Sequence, residues 1–589
     1  MGKTIFSGNE AVARGAYEAG CTVAAAYPGT PSTEILENVA LYKSDIYCEW
    51  SCNEKVAAEI VSGASIGGAR ALCAMKHVGM NVAADPIFTM AYAGVTGGMV
   101  IVCADDPGCH SSQNEQDNRL YAPHAKLGML EPSDSQECLD YTRAAFELSE
   151  RFDIPMLLRM TTRVCHSKSL VQTGERQNVG VKPYERKPQK FALLPAVART
   201  RHVARVRSLA EMEEYANDCP FNTVERNGSR VGIITSGIAA QYAHEVFGKE
   251  ADYLKLGLTY PLPNRLIRTF CAEYETLYVI EELDPYLEDT VRRLGFDCIG
   301  KDRIPGCGEL NPQIIRSALT GAAPESGYVT DAAAPPRPPV LCAGCPHRGF
   351  FYALSKKLKK VVPAGDIGCY ALGSNAPLNG FDYSICMGSG ISSIIGLAKA
   401  LELQGDSRKA LGMVGDSTFF HSGVTSLIDV ACSGMNVIAC VLDNSITAMT
   451  GHQDNPGTVK NLMGESKQPI DLLRLIRACG FDEDHIRVVD PIDQTAMEQA
   501  LDDGIAAEGP FVIVTKRPCA LIKEVSKANA GKYCVVDETK CKSCRSCMKI
   551  SCPAIAFDKT AKIVDTVNCT ACGLCMQVCK FDAIRKVGE

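Results

Sequence analysis

The spacing of eight cysteines near the C-terminus constrains this chain more than any other feature. They form two sets, Cys541, Cys544, Cys547 and Cys552, then Cys569, Cys572, Cys575 and Cys579. Three thiolates at C-x2-C-x2-C spacing can surround one face of a four-iron four-sulfur cubane, and where two such clusters share a domain the fourth ligand of each comes from the other half. The sequence therefore predicts a small C-terminal domain, residues 530–589, with two [4Fe–4S] clusters.

Because the fourth ligand of each cluster comes from the other cysteine set, the spacing assigns the ligands of both clusters. The first is predicted to use Cys541, Cys544, Cys547 and Cys579, and the second Cys569, Cys572, Cys575 and Cys552. The gap from Cys547 to Cys552 holds four residues, whereas bacterial two-cluster ferredoxins have three. A zinc ribbon or a disulfide knot is the alternative, but zinc ligands usually come as two C-x2-C arms without a third cysteine in register. A ferredoxin-like domain is therefore expected.

Length and composition limit what the rest of the chain can be. A chain of 589 residues predicts several domains. The net charge of -7 gives no general footprint for nucleic acid, and the locally basic stretch from Lys182 to Arg207 is interpreted as a solvated connector. The N-terminus lacks the apolar core of a signal peptide, and the apolar stretch around Ala91 to Cys103 is too short to span a bilayer. We expect a cytoplasmic protein with no membrane or nucleic-acid partner, and its 29 cysteines mostly as thiols in a cell with little oxygen.

Alternating strand-like and helical patterns predict an α/β fold with doubly wound parallel sheets. β-branched runs alternate with helical stretches in three segments, which we place at residues 1–180, 208–320 and 340–525. The stretch from Ala322 to Pro339 contains five prolines among alanines, a composition typical of an extended linker. A domain boundary is therefore predicted there.

Two polar strand ends in the third segment predict a magnesium site. Gly415-Asp416-Ser417 closes one strand, and Asn444 follows the next strand 28 positions after Asp416. That interval fits a strand-helix-strand crossover, which places both residues at the carboxyl edge of one parallel sheet. Their hard oxygens suit Mg²⁺, with a third oxygen from the backbone near Ile446. The pattern resembles the thiamine diphosphate motif, except that Ser417 stands in place of its third glycine.

Thiamine enzymes also need a glutamate from another α/β unit, which hydrogen-bonds the aminopyrimidine of the cofactor. Glu54 is the candidate, because it stands where a strand end meets an Ala-rich helix. Glu49 is the competitor. A glutamate that only helps to start a solvated helix is the other interpretation.

A further cysteine set opens the third segment. Cys342 and Cys345 have C-x2-C spacing and are followed by two scattered partners, Cys369 and Cys519. Four thiolates from distant parts of one domain can hold a third cluster. Structural zinc and buried free thiols remain alternatives.

Together these residues resemble the 2-oxoacid:ferredoxin oxidoreductases over nearly the whole chain. The likeness is carried by Tyr27 to Thr33, Glu54, Cys342/Cys345/Cys369, Gly415-Asp416, Asp443 to Gln453 and the double-cluster C-terminus. It implies that residues 1–180 bind the pyrimidine of thiamine diphosphate, that 208–320 resemble the transketolase C-terminal domain and that 340–525 bind the diphosphate. It also implies that Thr30 faces the substrate, that Arg119 grips its carboxylate, and that the cofactor is surrounded by Thr450, Gly451 and Gln453.

The resemblance further implies an activity and its partners. The expected reaction is oxidative decarboxylation of a 2-oxoacid to an acyl-coenzyme A, with electrons passing through the clusters to ferredoxin. Pyruvate-using relatives carry an asparagine where this chain has Met449, which favours more apolar substrates such as indolepyruvate and other arylpyruvates. A separate beta subunit carrying the gamma domain, in a dimer of heterodimers, is implied. A non-oxidative decarboxylase with structural clusters and a non-catalytic electron-transfer subunit are the competing hypotheses.

Overall fold

The computed structural model describes residues 2–322 and 338–588. The chain divides into two compact units, Met1–Asp331 and Ala332–Glu589. The Pro-rich stretch predicted as a linker lies outside the described residues apart from its ends. Across the described ranges, no helix combines the length and the apolar character needed to cross a bilayer.

A seven-stranded sheet forms the centre of the first unit, and all of its strands except one at the edge run parallel. Most of their side chains are buried, as expected for a parallel sheet covered on both faces. In spatial order the strands are Leu258–Tyr260, Gly128–Leu130, Met156–Thr161, Met99–Asp105, Ala71–Lys76, Val23–Ala26 and Tyr47–Trp50. The antiparallel edge strand Leu258–Tyr260 comes from segment 208–320, so the second predicted segment completes the sheet of the first.

The winding of this sheet reverses next to Val23–Ala26. From that strand the chain goes outward to Tyr47–Trp50 and then returns to Ala71–Lys76 on the other side. Open α/β sheets bind ligands at such a switch point, beyond the carboxyl ends of the strands. The loops that follow Val23–Ala26 and Ala71–Lys76 therefore mark the expected ligand crevice of this unit.

The remaining strands of the first unit form two smaller sheets. A four-stranded sheet has the order Thr276–Ile280, Val231–Ser236, Asp252–Leu256 and Thr223–Glu225, with the last strand antiparallel. Lys3–Ser7 pairs antiparallel with Lys168–Gln172. The apolar core is continuous from the large sheet to the four-stranded one, because residues of both belong to one buried cluster.

Helices cover both faces of these sheets. They are Gly8–Glu18, Thr33–Val39, Glu54–Ile66, His77–Val82, Ala84–Ala93, Tyr121–Ala125, Ser135–Phe152, Thr162–His166, Pro188–Phe191, Pro195–Ala216, Gly237–Phe247, Asn264–Cys271, Tyr286–Arg293 and Pro312–Thr320, with 3-10 turns at Ala40–Tyr42, Asn118–Leu120 and Gly248–Glu250. The prediction of a solvated connector from Lys182 to Arg207 was wrong for its second half. That part forms the start of helix Pro195–Ala216, and Arg205 is buried.

A five-stranded parallel sheet forms the core of the second unit. Its order is Val361–Ala364, Lys409–Gly415, Val437–Asp443, Phe511–Lys516 and Ile486–Val489. Its helices are His347–Ser355, Ser389–Gln404, Asp416–Thr418, Val424–Ser433, Leu472–Ala478, Gln494–Ala506 and Lys523–Ala528, with a π-helical turn at Phe419–Gly423 and 3-10 turns at Cys369–Ser374 and Glu483–His485. The polar ends of Lys409–Gly415 and Val437–Asp443 lie side by side, as predicted from the crossover spacing.

The C-terminal segment packs against this sheet domain within the same unit. It contains two antiparallel strand pairs, Tyr533–Val536 with Ile584–Val587 and Ile555–Asp558 with Thr560–Ile563, together with the 3-10 turn Ser546–Ile550 and the short α-helix Leu574–Val578. Its buried residues belong to the same apolar cluster as Phe350 and Met497 of the neighbouring helices. The clusters predicted in this segment would therefore be held by a shared core.

Candidate functional site

In the first unit, the loops at the switch point contact one another. Thr30 is half-buried in the loop after Val23–Ala26, and its carbonyl accepts a hydrogen bond of 3.4 Å from Ser111 Oγ. The carbonyl of Ser111 in turn accepts one of 3.0 Å from Lys76 Nζ. A Cβ on Gly29 would lie 3.2 Å from Lys76 Cγ, so the Thr30 loop packs directly on the lysine stem.

Glu54 is a buried carboxyl group, 4% exposed, at the first position of helix Glu54–Ile66. Asn53 begins the helix by accepting a hydrogen bond of 2.9 Å from Val56 N. A Cβ on Gly79 would lie 2.7 Å from Glu54 Oε1, so only glycine leaves room for the carboxyl group. Glu49 is half-buried and accepts a hydrogen bond of 2.5 Å from the Tyr47 hydroxyl. Of the two glutamates, Glu54 therefore has the more enclosed carboxyl group.

Lys76 is a site residue that the sequence analysis missed. Burial lowers the pKa of its ammonium group, while Asp106 and Glu54 act in the opposite direction. A lysine that ends an otherwise apolar, buried strand, Ala71–Lys76, was the available signal.

Arg119 does not fit the role predicted for it. The guanidinium is 1% exposed, and it donates to both carboxylate oxygens of Asp117 and, at 2.6 Å, to Glu281 Oε2. It also donates to the carbonyls of Glu282 and Asp284. Because two buried carboxylates compensate its charge, Arg119 serves as an ion-pair bridge inside the first unit, and the structure does not support it as the group that grips the substrate carboxylate.

In the second unit, Asp416 and Asn444 end neighbouring parallel strands. Asp416 is buried and accepts a hydrogen bond of 2.9 Å from Asn455 Nδ2, a partner that the sequence analysis missed. Burial, with a further contribution from Asp443, raises the pKa of Asp416 to about 7. A buried carboxylate of this kind gains a favourable partner when a cation binds. The donor set therefore fits a magnesium ion.

Asn444 is oriented by a buried histidine whose role was not predicted. Its Nδ2 lies 3.2 Å from His347 Nε2, and its Oδ1 accepts a hydrogen bond of 3.2 Å from Ile446 N. Burial lowers the pKa of His347 to about 4, so the ring is neutral and can accept the amide proton. His347 directly follows the Cys342 to Pro346 turn, which brings this turn next to the predicted metal site.

The other predicted cofactor residues of this unit lie in one turn or contact it. Ser417 Oγ accepts a hydrogen bond of 2.9 Å from Thr447 Oγ1. Thr447 and Gln453 pair through their backbones, and Thr450 Oγ1 donates at 2.6 Å to Gln453 Oε1. Gly451 occupies a left-handed backbone position with φ of 128°, which favours glycine. The turn from Thr447 to Gln453 is thus fixed by hydrogen bonds and contacts Ser417, the residue after Asp416.

The third cysteine set is gathered in the second unit. Burial raises the pKa of the Cys369 thiol to about 12, and Cys519 and Cys342 add to the shift. Burial likewise raises the pKa of the Cys345 thiol, and Cys369 and Cys342 add to that shift. Cys519 N donates to the carbonyl of Asn444 at 2.9 Å, which ties this set to the predicted magnesium site.

The eight C-terminal cysteines line two separate cavities. The first tail site, of about 350 Å³ counted to its open mouth, includes Cys541, Cys544, Cys547 and Cys579. The second tail site, of about 380 Å³, includes Cys552, Cys569, Cys572 and Cys575, together with Cys534. These groupings match the crossed ligand sets expected from the spacing, so the residues present fit two cubanes.

Among residues 2–322 and 338–588, no three His, Cys, Asp or Glu side chains form a group that could hold a single metal ion.

The third cysteine set and the second tail site adjoin each other. A Cβ on Gly344 would lie 2.1 Å from Thr570 Oγ1, so the two cysteine loops are in contact. Arg348 also links the two sites, because it donates to the carbonyl of Cys342 at 3.0 Å and to that of Ile550 at 2.7 Å. Within the second unit, contacts therefore run from Asn444 through the third cysteine set to the second tail site.

Three family models match the chain. The thiamine diphosphate-binding model of pyruvate flavodoxin/ferredoxin oxidoreductases covers residues 14–217. The C-terminal binding domain model of thiamine pyrophosphate enzymes covers 366–515, which includes Asp416 and Asn444. A 4Fe-4S binding domain model covers 562–585, which includes the cysteines from Cys569 to Cys579.

Several relatives match the chain over nearly its full length. Indolepyruvate oxidoreductase subunit IorA of Archaeoglobus fulgidus is 39% identical, over 99% of this chain and 97% of the relative. The IorA subunit of Methanothermobacter thermautotrophicus is 38% identical, over 100% and 98%. A solved 2-oxoglutarate:ferredoxin oxidoreductase from Magnetococcus marinus, with 2-oxoglutarate, coenzyme A and succinyl-CoA bound, has a TM-score of 0.45 and 18% identity over 54% of this chain and 65% of that chain.

Proposed function

The chain belongs to the family of indolepyruvate oxidoreductase subunits IorA, which combine thiamine diphosphate and 4Fe-4S domains, and on this premise we propose that it oxidatively decarboxylates arylpyruvates such as indolepyruvate. The products are carbon dioxide and an acyl-coenzyme A, and the electrons leave through the iron–sulfur clusters to ferredoxin. Met449 is exposed in the turn from Thr447 to Gln453, and its apolar side chain supports a preference for apolar substrates.

The first unit contributes the proton-handling group and a substrate contact. The carboxyl oxygens of Glu54 hold a proton against the aminopyrimidine of the cofactor, and their enclosure beside Gly79 keeps competing water away. Thr30 faces the substrate from the switch-point loop, where Lys76 packs against Gly29.

The second unit contributes the diphosphate anchor. Asp416, Asn444 and the Ile446 carbonyl would hold Mg²⁺, while Ser417, Thr450, Gly451 and Gln453 would surround the cofactor. When bound, thiamine diphosphate supplies the electron sink that decarboxylation of a 2-oxoacid requires. Asn455 and His347 keep the Asp416 and Asn444 side chains in place.

One observation supports this proposal above the others: Cys519 N donates to the carbonyl of Asn444, Cys519 and Cys342 are near enough to influence each other, and Gly344 packs against Thr570. The third cysteine set would hold a cluster next to the residues that would hold Mg²⁺, the second and first tail sites would hold two more, and these clusters would supply one-electron carriers toward ferredoxin. The competing hypotheses do not need such contacts, because neither structural clusters nor a docking scaffold must adjoin the cofactor anchor.

The partners follow from the same activity. The proposed assembly is a dimer of heterodimers with a separate beta subunit that carries the gamma domain, and soluble ferredoxin accepts the electrons. Such a protein works in the cytoplasm of a cell with little oxygen, where low-potential clusters persist.

The experiment is an anaerobic assay with the partner subunit, coenzyme A and a viologen dye. We expect the dye to be reduced fastest with indolepyruvate and phenylpyruvate, and more slowly with pyruvate and 2-oxoglutarate. A pyruvate preference contradicts the proposed substrate class, and carbon dioxide release without dye reduction supports a non-oxidative decarboxylase. Absence of thiamine diphosphate after acid release supports the electron-transfer subunit.

A further inference from the structure

The two tail sites differ in their number of thiols. Four cysteines line the first cavity, whereas the second is lined by five, because Cys534 joins Cys552, Cys569, Cys572 and Cys575. A [4Fe–4S] cluster takes four thiolates. One thiol of the second tail site is therefore left over, and the C-x2-C-x2-C spacing did not identify it.

Cys534 reaches this cavity from the opposite end of the segment. It lies in strand Tyr533–Val536, which Ile584–Val587 pairs with, and it is 1% exposed. Its backbone N–H donates to Cys569 Sγ at 3.3 Å. Its thiol lies near enough to the thiols of Cys569 and Cys575 to interact with both. The fifth thiol is thus fixed against the loop that supplies three of the four expected ligands.

Cys552, the expected fourth ligand, also lies near the loop that contains Cys569 and Cys572. It interacts with Cys572 and Cys569 and lies beside the Arg348 guanidinium. The residue before it, Ser551, has a left-handed backbone with φ of 56°, in the gap that is one residue longer than in bacterial ferredoxins. Cys569 is therefore approached both by Cys534 and by the cysteine expected to be the fourth ligand.

We propose that Cys534 is a second possible ligand for the fourth iron of the second tail cluster, able to replace Cys552. In the exchange, the bond from iron to the Cys552 thiolate breaks as the bond from iron to Cys534 forms. The proton lost by the Cys534 thiol is taken up by Cys552, so the charge and the oxidation state of the cluster do not change. This inference rests on the proposed function, because it needs the cluster at this site.

The test compares alanine variants of the two crossing ligands. Cys552→Ala should keep the iron content of the native holoprotein and give no three-iron EPR signal when oxidised. The double variant Cys534→Ala/Cys552→Ala should lose iron and show the three-iron signal. Cys579→Ala is the matched control, because only four thiols among the described residues line the first tail site, which should lose iron from the single change.

Two results would contradict the inference, and a third would contradict the proposed function. If Cys552→Ala loses iron or fails to fold while Cys579→Ala behaves no worse, the inference is wrong. If Cys552→Ala and the double variant have the same iron content and EPR spectrum, Cys534 is not the replacement, which also overturns it. A native holoprotein without C-terminal clusters would instead contradict the proposed function, which separates the two failures.

Discussion

The surroundings of Glu54 matter most for the chemistry that we propose for the first unit. Its carboxyl group is enclosed by Gly79 and stands at the start of a capped helix. A carboxyl group held this way can exchange a proton with a neighbouring nitrogen base.

Glu54→Gln keeps the shape of this side chain and removes its ability to carry the proton. We expect turnover in the anaerobic dye assay to fall by about 10²–10⁴-fold, the usual contribution of general acid–base catalysis. Iron content and bound thiamine diphosphate should stay at native values. Glu49→Gln is the matched control and should retain near-native turnover, whereas equal losses in both variants would show that Glu54 has no special role.

Arg205 shows how a charged residue can be structural. Its guanidinium donates at 2.6 Å to the carbonyl of Ala91, at 3.3 Å to that of Phe152, and also to that of Asp153. These carbonyls lie near the C-termini of helices Ala84–Ala93 and Ser135–Phe152, where a cation is favourable. Burial lowers the pKa of Arg205 to about 10, so it remains charged at neutral pH.

Arg205→Met fills much of the same space but removes the guanidinium donor from the Ala91 and Asp153 carbonyls, while the Phe152 carbonyl still accepts from Ser208 Oγ. Since hydrogen bonds to charged groups contribute about 1.5–3 kcal/mol, the first unit should lose roughly that much stability, seen as a lower midpoint in thermal unfolding. Arg207→Met, at an exposed position of the same helix, should change stability by less than about 0.5 kcal/mol. Equal midpoints for the two variants would contradict this account.

At the scale of elements, strand ends were predictable and pairings between distant segments were not. The strand Lys409–Gly415 ends where the sequence analysis expected, because its apolar run stops at a Gly-Asp turn. The edge strand Leu258–Tyr260 and the helix that contains Arg205 depend on partners far along the chain, which local patterns do not reveal. For the same reason Asp416 and Asn444 could be predicted from the sequence as candidate site residues, whereas Asn455 and His347 could not.

The contact between the Cys342–Cys345 loop and the second tail site can be tested with one glycine. Gly344 has φ of 72°, and an alanine Cβ there would meet Thr570. Gly344→Ala should therefore slow dye reduction severalfold, because it pushes the two cysteine loops apart, while thiamine diphosphate stays bound.

Gly405→Ala is the control for backbone strain. Gly405 has φ of 70°, but open space surrounds it, so only the strain of about 1 kcal/mol is introduced there. The added variant Gly344→Ala/Thr570→Ala should recover part of the lost rate. If Gly405→Ala slows electron transfer as much as Gly344→Ala, the loop contact is not what matters.

At the scale of the whole molecule, the C-terminal segment belongs to the second unit's core. Phe350 and Met497 of the sheet domain share one buried cluster with Ile550, Leu574 and Ile584 of that segment. The α/β fold and the family were predictable from sequence because motifs recur along nearly the entire chain. The domain bounds 1–180, 208–320, 340–525 and 530–589 stay predictions.

The central claim is that electrons released from a 2-oxoacid enter this chain's own clusters. The most direct measurement is rapid-mix freeze-quench EPR of the anaerobic holoprotein with its partner subunit, thiamine diphosphate, Mg²⁺, coenzyme A and indolepyruvate. The account predicts reduced [4Fe–4S] signals within the time of one turnover, and no such signals in Glu54→Gln. Clusters that stay oxidised while carbon dioxide is released would contradict it.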